Sequence, residues 1–472
     1  MAFWKNALYK TDPKTYETHD RNLNKSLNLR DLLGLGIGMI VSTSIFTLPG
    51  TVAAMHTGPA VIIAFILGAL ITGIIALIYA EMSSAMPFAG SAYSWINVLF
   101  GELPGWLVGW ALLAEYLIAL AFISSGLSAN LRPLLHNIGI NFPNFLSHPL
   151  GVHGGIVDLV ALIAILLSAI LVAGNVNSAT KIDNILVIAK LLAIFLFIIV
   201  GAFYLHKSHF IPFLPHYRMT KQGAFGGWQG IYAGLATIFI AYLGFDAITA
   251  NAAEVKNSQR NLPLGILGSL GIAAFFFILV SIILIGIVPY HQYLNSVEPL
   301  GLALRAIHHS NIAFIVQLIA VLGMFTALIG LTMAGSRLIY SFGRDKMLPK
   351  WLGKVDQKHR PTNALILSTI IVLIIGSLFS FTFLSQLDTA GTLFAFVMVS
   401  LGMFKLRKIE GKTVKESGFK LPCYRLLSIL GLIVSLAVFG GIDRTAQIIT
   451  LIWFIIGLII YLIYGYRHSE RG

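Results

Sequence analysis

Three ionisable side chains, Glu115, Lys190 and Asp246, interrupt otherwise apolar stretches of this 472-residue sequence. A charge withdrawn from water in such a run is costly. It must find a partner, face a water-filled path, or serve to carry protons. Two of the apolar stretches also have unusual backbone chemistry. Residues 34–50 place Gly34, Gly36, Gly38, Ser42, Thr43 and Ser44 ahead of Pro49, and residues 238–247 carry Gly244 and Asp246. Glycine and small hydroxyl residues lower the cost of unwinding a helix. Unwound backbone at membrane depth persists only where it lines a cavity or is buried in protein, and its free N–H and C=O groups can hold a polar solute. Asp246 directly follows the glycine, a position suited to capping the helix that resumes there.

Other chemistries lack their signatures. No HExxH, GxSxG or paired-acid motif occurs within the apolar runs, so an enzyme is not indicated. No cysteine–histidine spacing suggests a metal, no cofactor motif is present, and the single Cys423 reads as an inert structural thiol. The Gly34-x-Gly36-x-Gly38 run has neither a preceding strand nor a phosphate-binding lysine, which excludes a nucleotide loop. A channel would be expected to carry rings of charge or repeated filter loops.

Only 11% of the residues are charged against 57% hydrophobic, with a mean hydropathy of +0.85. A soluble domain is typically about 25% charged. The sequence predicts an all-α polytopic membrane protein with twelve transmembrane helices, because apolar runs of about 20 residues recur along it. They lie at 33–53, 59–82, 103–128, 155–174, 182–205, 229–253, 264–288, 311–336, 363–380, 383–404, 424–440 and 446–466. The polar first 32 residues have no apolar core or cleavage site, so no cleaved signal is expected. With the N-terminus inside, inner segments hold 25 of the 32 Lys and Arg and outer segments six, leaving Lys190 within a span. That bias accounts for the net charge of +13 without nucleic acid and places both termini in the cytoplasm.

Spans 1 and 6 are the two unusual ones, so broken helices 1 and 6 in corresponding places imply a 5+5 repeat. The divisions are a cytoplasmic segment 1–32, a first five-helix repeat 33–205, a second 229–404, a basic loop 405–423, helices 11 and 12 at 424–466, and a tail 467–472.

At this point the residues resemble a known group, the cationic amino acid transporter subgroup of the amino acid–polyamine–organocation superfamily. The likeness covers nearly the whole chain. It rests on Phe46 to Pro59, Tyr79-Ala-Glu81-Met-Ser with Pro87 to Tyr93, and Gly109 to Tyr116. It continues through Val187 to Leu191, Gly244-Phe245-Asp246 with Glu254 to Asn257, Gly335 to Arg337, Gly343 to Asp345, and Gly391 to Phe396. The Ser42 to Gly50 stretch resembles lactic-acid-bacterial branched-chain amino acid permeases. The resemblance implies a leucine-transporter-like inverted repeat with alternating access in a plasma membrane. Its substrate would be an amino acid and its coupling ion a proton.

The resemblance also implies site roles. The substrate carboxylate would meet the amides around Ser42, Thr43, Ser44 and Ile45, and the ammonium would meet carbonyls near Phe239, Ile240 and Tyr242. Many relatives have glycine where this chain has Ser42 and Ser44, and serine keeps the donor while adding bulk. In relatives the lysine matching Lys190 projects toward the place where sodium sits in sodium-driven carriers of this fold. Proton gain and loss at Lys190 is the functional reading, and a fixed ammonium pinning span 5 to span 1 is the structural one. Glu115 either relays protons or ties helices together. Met324 and Phe325 in span 8, with no acid beside them, favour an apolar substrate side chain such as that of leucine, isoleucine or valine. A carrier or exchanger of arginine and lysine is the alternative, and a membrane sensor of amino acids is the reading from another class.

Overall fold

The computed structural model describes residues 7–137, 139–140, 142–150, 154–174, 176–220, 223–294, 296, 298–379, 381–440 and 444–468. The described residues are mostly helical, joined by turns and loops, with a hairpin of β1 (Arg218–Thr220) and β2 (Gly223–Phe225). Helices α1 (Pro13–Asp20), α2 (Leu29–Ile40), α3 (Thr43–Val52), α4 (Val61–Ala85), α5 (Ala92–Phe100) and α6 (Glu102–Asn137) form the first part. They are followed by α7 (Asn144–Ser147), α8 (Leu159–Gly174), α9 (Val176–Ala202), α10 (Gly227–Ala241), α11 (Ala247–Ala250) and α12 (Ser258–Ile287). The rest comprises α13 (Pro299–Ala306), α14 (Ser310–Arg344), α15 (Thr362–Leu378), α16 (Phe381–Ile409), α17 (Tyr424–Gly440), α18 (Arg444–Ile460) and α19 (Tyr466–His468).

Among the described residues, six helical stretches are long and apolar enough to cross a membrane: Leu29–Ala85, Glu102–Arg132, Ala179–Ala202, Ser258–Ile287, Ser310–Arg344 and Gln447–His468. Leu159–Gly174, Thr362–Leu378 and Tyr424–Gly440 are shorter apolar helices. Large apolar side chains such as Ile163, Ile185, Ile188, Leu192, Phe195, Leu451 and Ile463 point outward. Exposed apolar surface on this scale is untenable in water and natural in a bilayer.

Helices α2 and α4 pack against α12, while α14 and α16 pack against α6, and one continuous apolar core runs through them. Helix α18 is fixed to α6 by tryptophans. Trp110 and Trp453 stack at 4.6 Å and each indole donates to the other's backbone carbonyl at 2.8 Å. Buried charges secure the segments beside the helix ends. Arg344 bridges Asp20 and Asp345 at 2.7 Å each and covers the Tyr16 ring, while Arg337 binds Glu254 at 2.6 Å. Leu27 and Val255 form a parallel bridge that ties the approach to α2 to the chain after α11.

Several helices run past the expected bounds, among them two that carry buried charges. Helix α14 runs on to Arg344, so Arg337 and Arg344 continue the helix of the span expected at 311–336. Their charges are neutralised in place by Glu254, Asp20 and Asp345, which lets the helix continue where hydropathy alone stops it. Helix α9 starts at Val176 instead of 182, which puts Asp183 well inside it.

Candidate functional site

The first interruption lies between α2 and α3. Val41 (φ −83°, ψ 57°) and Ser42 (φ −94°, ψ −128°) leave helical geometry, and Thr43 starts the next helix. The amides of Thr43, Ser44 and Ile45 therefore open α3 without carbonyls in a preceding turn, and the positive end of its dipole faces the gap. Ser44 Oγ donates to the Ile40 carbonyl at 3.0 Å, covering an acceptor that the break released. The Thr43 hydroxyl is buried and has no hydrogen-bond partner among the described residues.

The second interruption lies between α10 and α11. Residues 242–246 form turns, and Gly244 adopts φ +109°, a conformation that side-chain-bearing residues avoid. The Phe239 carbonyl accepts from the Tyr242 amide at 3.2 Å. The side chain of Ile240 lies outside the described residues. Tyr242 is anchored elsewhere: its hydroxyl donates to the Phe65 carbonyl of α4 at 2.9 Å. Asp246 begins α11, but its side chain does not make the expected cap. Its Oδ1 accepts from the Gly244 amide at 3.3 Å, and its Oδ2 accepts from the Tyr116 hydroxyl at 3.2 Å. A helix of only four residues presents little field, whereas the Gly244 amide released by the turn and a buried phenol both need an acceptor.

The two interruptions abut. A Cβ on Gly244 would lie 2.9 Å from Met39 Cβ and 3.6 Å from the Ile40 amide nitrogen. Phe396 of α16 closes the region from the side, packing against Phe239 at 6.3 Å and stacking on Phe245 at 5.7 Å. Met39 and Phe396 were not given site roles from the sequence, Phe396 entering only as the end of a family-like stretch, since an apolar residue in an apolar helix carries no signal of its own.

Lys190 is completely buried. Its Nζ donates to the Gly38 carbonyl at 3.2 Å, Thr326 Oγ1 at 3.1 Å and the Gly323 carbonyl at 3.5 Å. These three acceptors satisfy an ammonium's three donors and join α9 to α2 and α14. Gly323 leaves room for the lysine stem, since a Cβ there would lie 2.6 Å from Lys190 Cδ. Met324 is buried on α14, next in sequence to Gly323, whose carbonyl Lys190 meets. Glu115 is buried on α6 beside Tyr116, and with Asp246 it lies near the Tyr79 and Tyr116 hydroxyls. The structure thus gathers Lys190, Gly38 and Thr326 at one point, and Glu115, Tyr116 and Asp246 at another. At the α2 end of the bundle, burial pushes the Asp20 carboxyl above its usual range against the opposing pull of Arg344.

Outward apolar faces, buried charges, and two facing helix breaks together define a multi-pass helical membrane protein. The amino acid permease family model matches residues 27–464. The branched-chain amino acid permease BcaP of Lactococcus lactis subsp. cremoris (strain MG1363) is 49% identical over 98% of this chain and 99% of its own. The methylthioribose transporter of Bacillus subtilis (strain 168) is 34% identical over 96% of each chain. The branched-chain amino acid permease BcaP of the same B. subtilis strain is 32% identical over 96% of this chain and 95% of its own. The chain belongs to the amino acid permease family, and amino acid transport is its function.

Proposed function

We propose that the chain is a proton-coupled uptake carrier for neutral, branched-chain amino acids in a plasma membrane. Both termini are cytoplasmic, and twelve spans are arranged as a leucine-transporter-like 5+5 inverted repeat. The observation that carries this reading is the abutting pair of helix breaks. The start of α3 offers N–H groups to a carboxylate, and the end of α10 offers carbonyls to an ammonium. The amides of Ser42 to Ile45 and the carbonyls around Phe239 to Tyr242 would hold the two ends of the amino acid. The apolar Phe239, Phe245 and Phe396 beside them suit a branched aliphatic side chain. Lys190, held by Gly38 and Thr326 between α2 and α14, would take and release the proton as the helices rearrange.

Two relatives named as branched-chain amino acid permeases support the substrate. A second reading, a cationic substrate, draws on Glu115 and Asp246 near the span 6 break. Uptake of radiolabelled leucine, alanine and arginine into proteoliposomes tests both. Leucine accumulation that requires an inward proton gradient and is abolished by an uncoupler is expected. Arginine uptake without leucine uptake would reverse the substrate, and uptake of none of them by folded protein would overturn the carrier reading.

A further inference from the structure

Seven residues before Lys190, on the same face of α9, lies a second buried charge. Asp183 is completely inaccessible, and neither carboxylate oxygen has a hydrogen-bond partner among the described residues. Its oxygens face the glycines of α2. A Cβ on Gly38 would lie 3.3 Å from Oδ1, and a Cβ on Gly34 would lie 3.3 Å from Oδ2. Gly38 is also the residue whose carbonyl accepts from Lys190 Nζ. The ammonium and the carboxylate therefore flank one residue that has no side chain to separate them, yet they are not in ion-pair contact. Helical side chains lean toward the N-terminus, so the Lys190 stem leans toward Asp183 across about 10 Å of helix rise.

A fully buried carboxylate without hydrogen bonds costs several kcal/mol, which a purely structural role does not account for. The charged groups close enough to act on it are Lys190 and, on α2, Asp31. Asp31 lies one turn before Gly34 and is partly exposed. It accepts from Asn184 Nδ2 at 3.0 Å and from the Asn28 amide at 2.8 Å. On α14, Thr326 is the polar side chain near the Gly38 gap. A graded series runs along α2: Lys190 at Gly38, Asp183 between Gly38 and Gly34, then Asp31 at the solvent end.

We propose that Asp183 receives the transported proton from Lys190 and releases it to water at the cytoplasmic end of α2, beside Asp31. This rests on the proton-symport reading above. In the transfer, made when the two groups come within hydrogen-bond reach or a water bridges them, an N–H bond of the ammonium breaks and an O–H bond forms at Asp183, so a charged pair becomes a neutral pair with no change in net charge. That O–H bond then breaks as water takes the proton, leaving the carboxylate and a neutral amine ready for the next cycle.

The test compares leucine counterflow, which needs no net proton release, with gradient-driven accumulation in proteoliposomes of wild-type protein and Asp183→Asn. The expected result is that the variant keeps counterflow within about threefold while accumulation under a two-unit pH gradient collapses from about 100-fold toward unity. Wild-type protein that accumulates leucine without a gradient would remove the symport reading itself. Wild-type accumulation matched by Asp183→Asn would overturn the relay and leave symport standing. Loss of counterflow together with accumulation would assign Asp183 a structural role and also overturn it. Should Asp183→Asn not fold, pH-difference infrared spectra of wild-type and Asp183→Glu protein decide. A protonated-carboxyl band that moves in the glutamate variant is expected, and an unmoved band overturns the proposal.

Discussion

Replacing Lys190 with methionine separates its two roles, because the structure assigns them different magnitudes. Methionine keeps most of the stem's volume against Gly323 but removes the charge and three donors. Each charge-assisted hydrogen bond lost would cost about 1.5–3 kcal/mol in isolation. Removing a buried charge, however, recovers a desolvation penalty of several kcal/mol, and the two effects largely cancel. The acceptors are not stranded either. Thr326 Oγ1 lies 3.3 Å from the Gly38 carbonyl and can serve it, while Gly323 retains its helical bond along α14. The unfolding free energy is therefore expected to move by no more than about 3 kcal/mol. Coupling has no such compensation. One proton per substrate converts each pH unit of gradient into about 1.4 kcal/mol, or a tenfold accumulation. Lys190→Met is expected to reduce leucine accumulation across a two-unit gradient from about 100-fold to parity. The assay is steady-state uptake in proteoliposomes, with thermal denaturation in detergent as the control for folding. Gradient-driven accumulation within threefold of wild type, from folded Lys190→Met protein, would refute the role of this amine in coupling.

The remaining expectations concern the breaks and the parts that hold them. Gly244→Ala combines a positive φ with a Cβ 2.9 Å from Met39, so a loss of about 2–5 kcal/mol in denaturation measurements is expected. Thr43→Val removes the unpartnered buried hydroxyl at the start of α3 and is expected to weaken leucine binding five- to tenfold by scintillation proximity. Ser44→Ala instead uncovers the Ile40 carbonyl and is expected to cost about 1 kcal/mol of stability. Arg344→Met strands two buried carboxylates, Asp20 and Asp345, with an expected loss of about 3–5 kcal/mol and release of α1, read by hydrogen exchange. In the loop after α14, slight burial pushes the Asp356 carboxyl up, but hydrogen bonds from Arg360, Thr362 and Lys358 outweigh it and hold it well below the ordinary range. A depressed carboxylate adds stability above its unfolded pKa and loses it as the pH falls below that value. Exchange across residues 356–362, corrected for intrinsic rates, should therefore accelerate only below about pH 4, and Asp356→Asn should abolish that dependence.

Much of the architecture was legible because a bilayer demands apolar runs of a fixed length and tolerates few charges within them. Both breaks were legible for the same reason. A glycine, serine and threonine cluster at 34–44 and a glycine beside an acid at 244–246 stand out against uniform Leu and Ile. Lys190 announced itself by composition alone. The helix limits at Val176 and Arg344 did not, since hydropathy stops at polar residues whereas backbone hydrogen bonding runs on through them, at Arg344 with the charges partnered in place.

The sequence by itself determined that this is a polytopic membrane carrier with two interrupted helices and a buried amine. Cost per residue in a low-dielectric slab is a local property that composition records. Tertiary structure decided which groups meet. It set Phe396 against Phe239 and Phe245, turned Asp246 to Tyr116 instead of its own helix, and aimed Lys190 at Gly38 and Thr326. It also left Asp183 against two glycines without a hydrogen bond among the described residues. These partners come from helices as far apart in sequence as residues 38 and 326, and only the packing of one helix face on another brings them together.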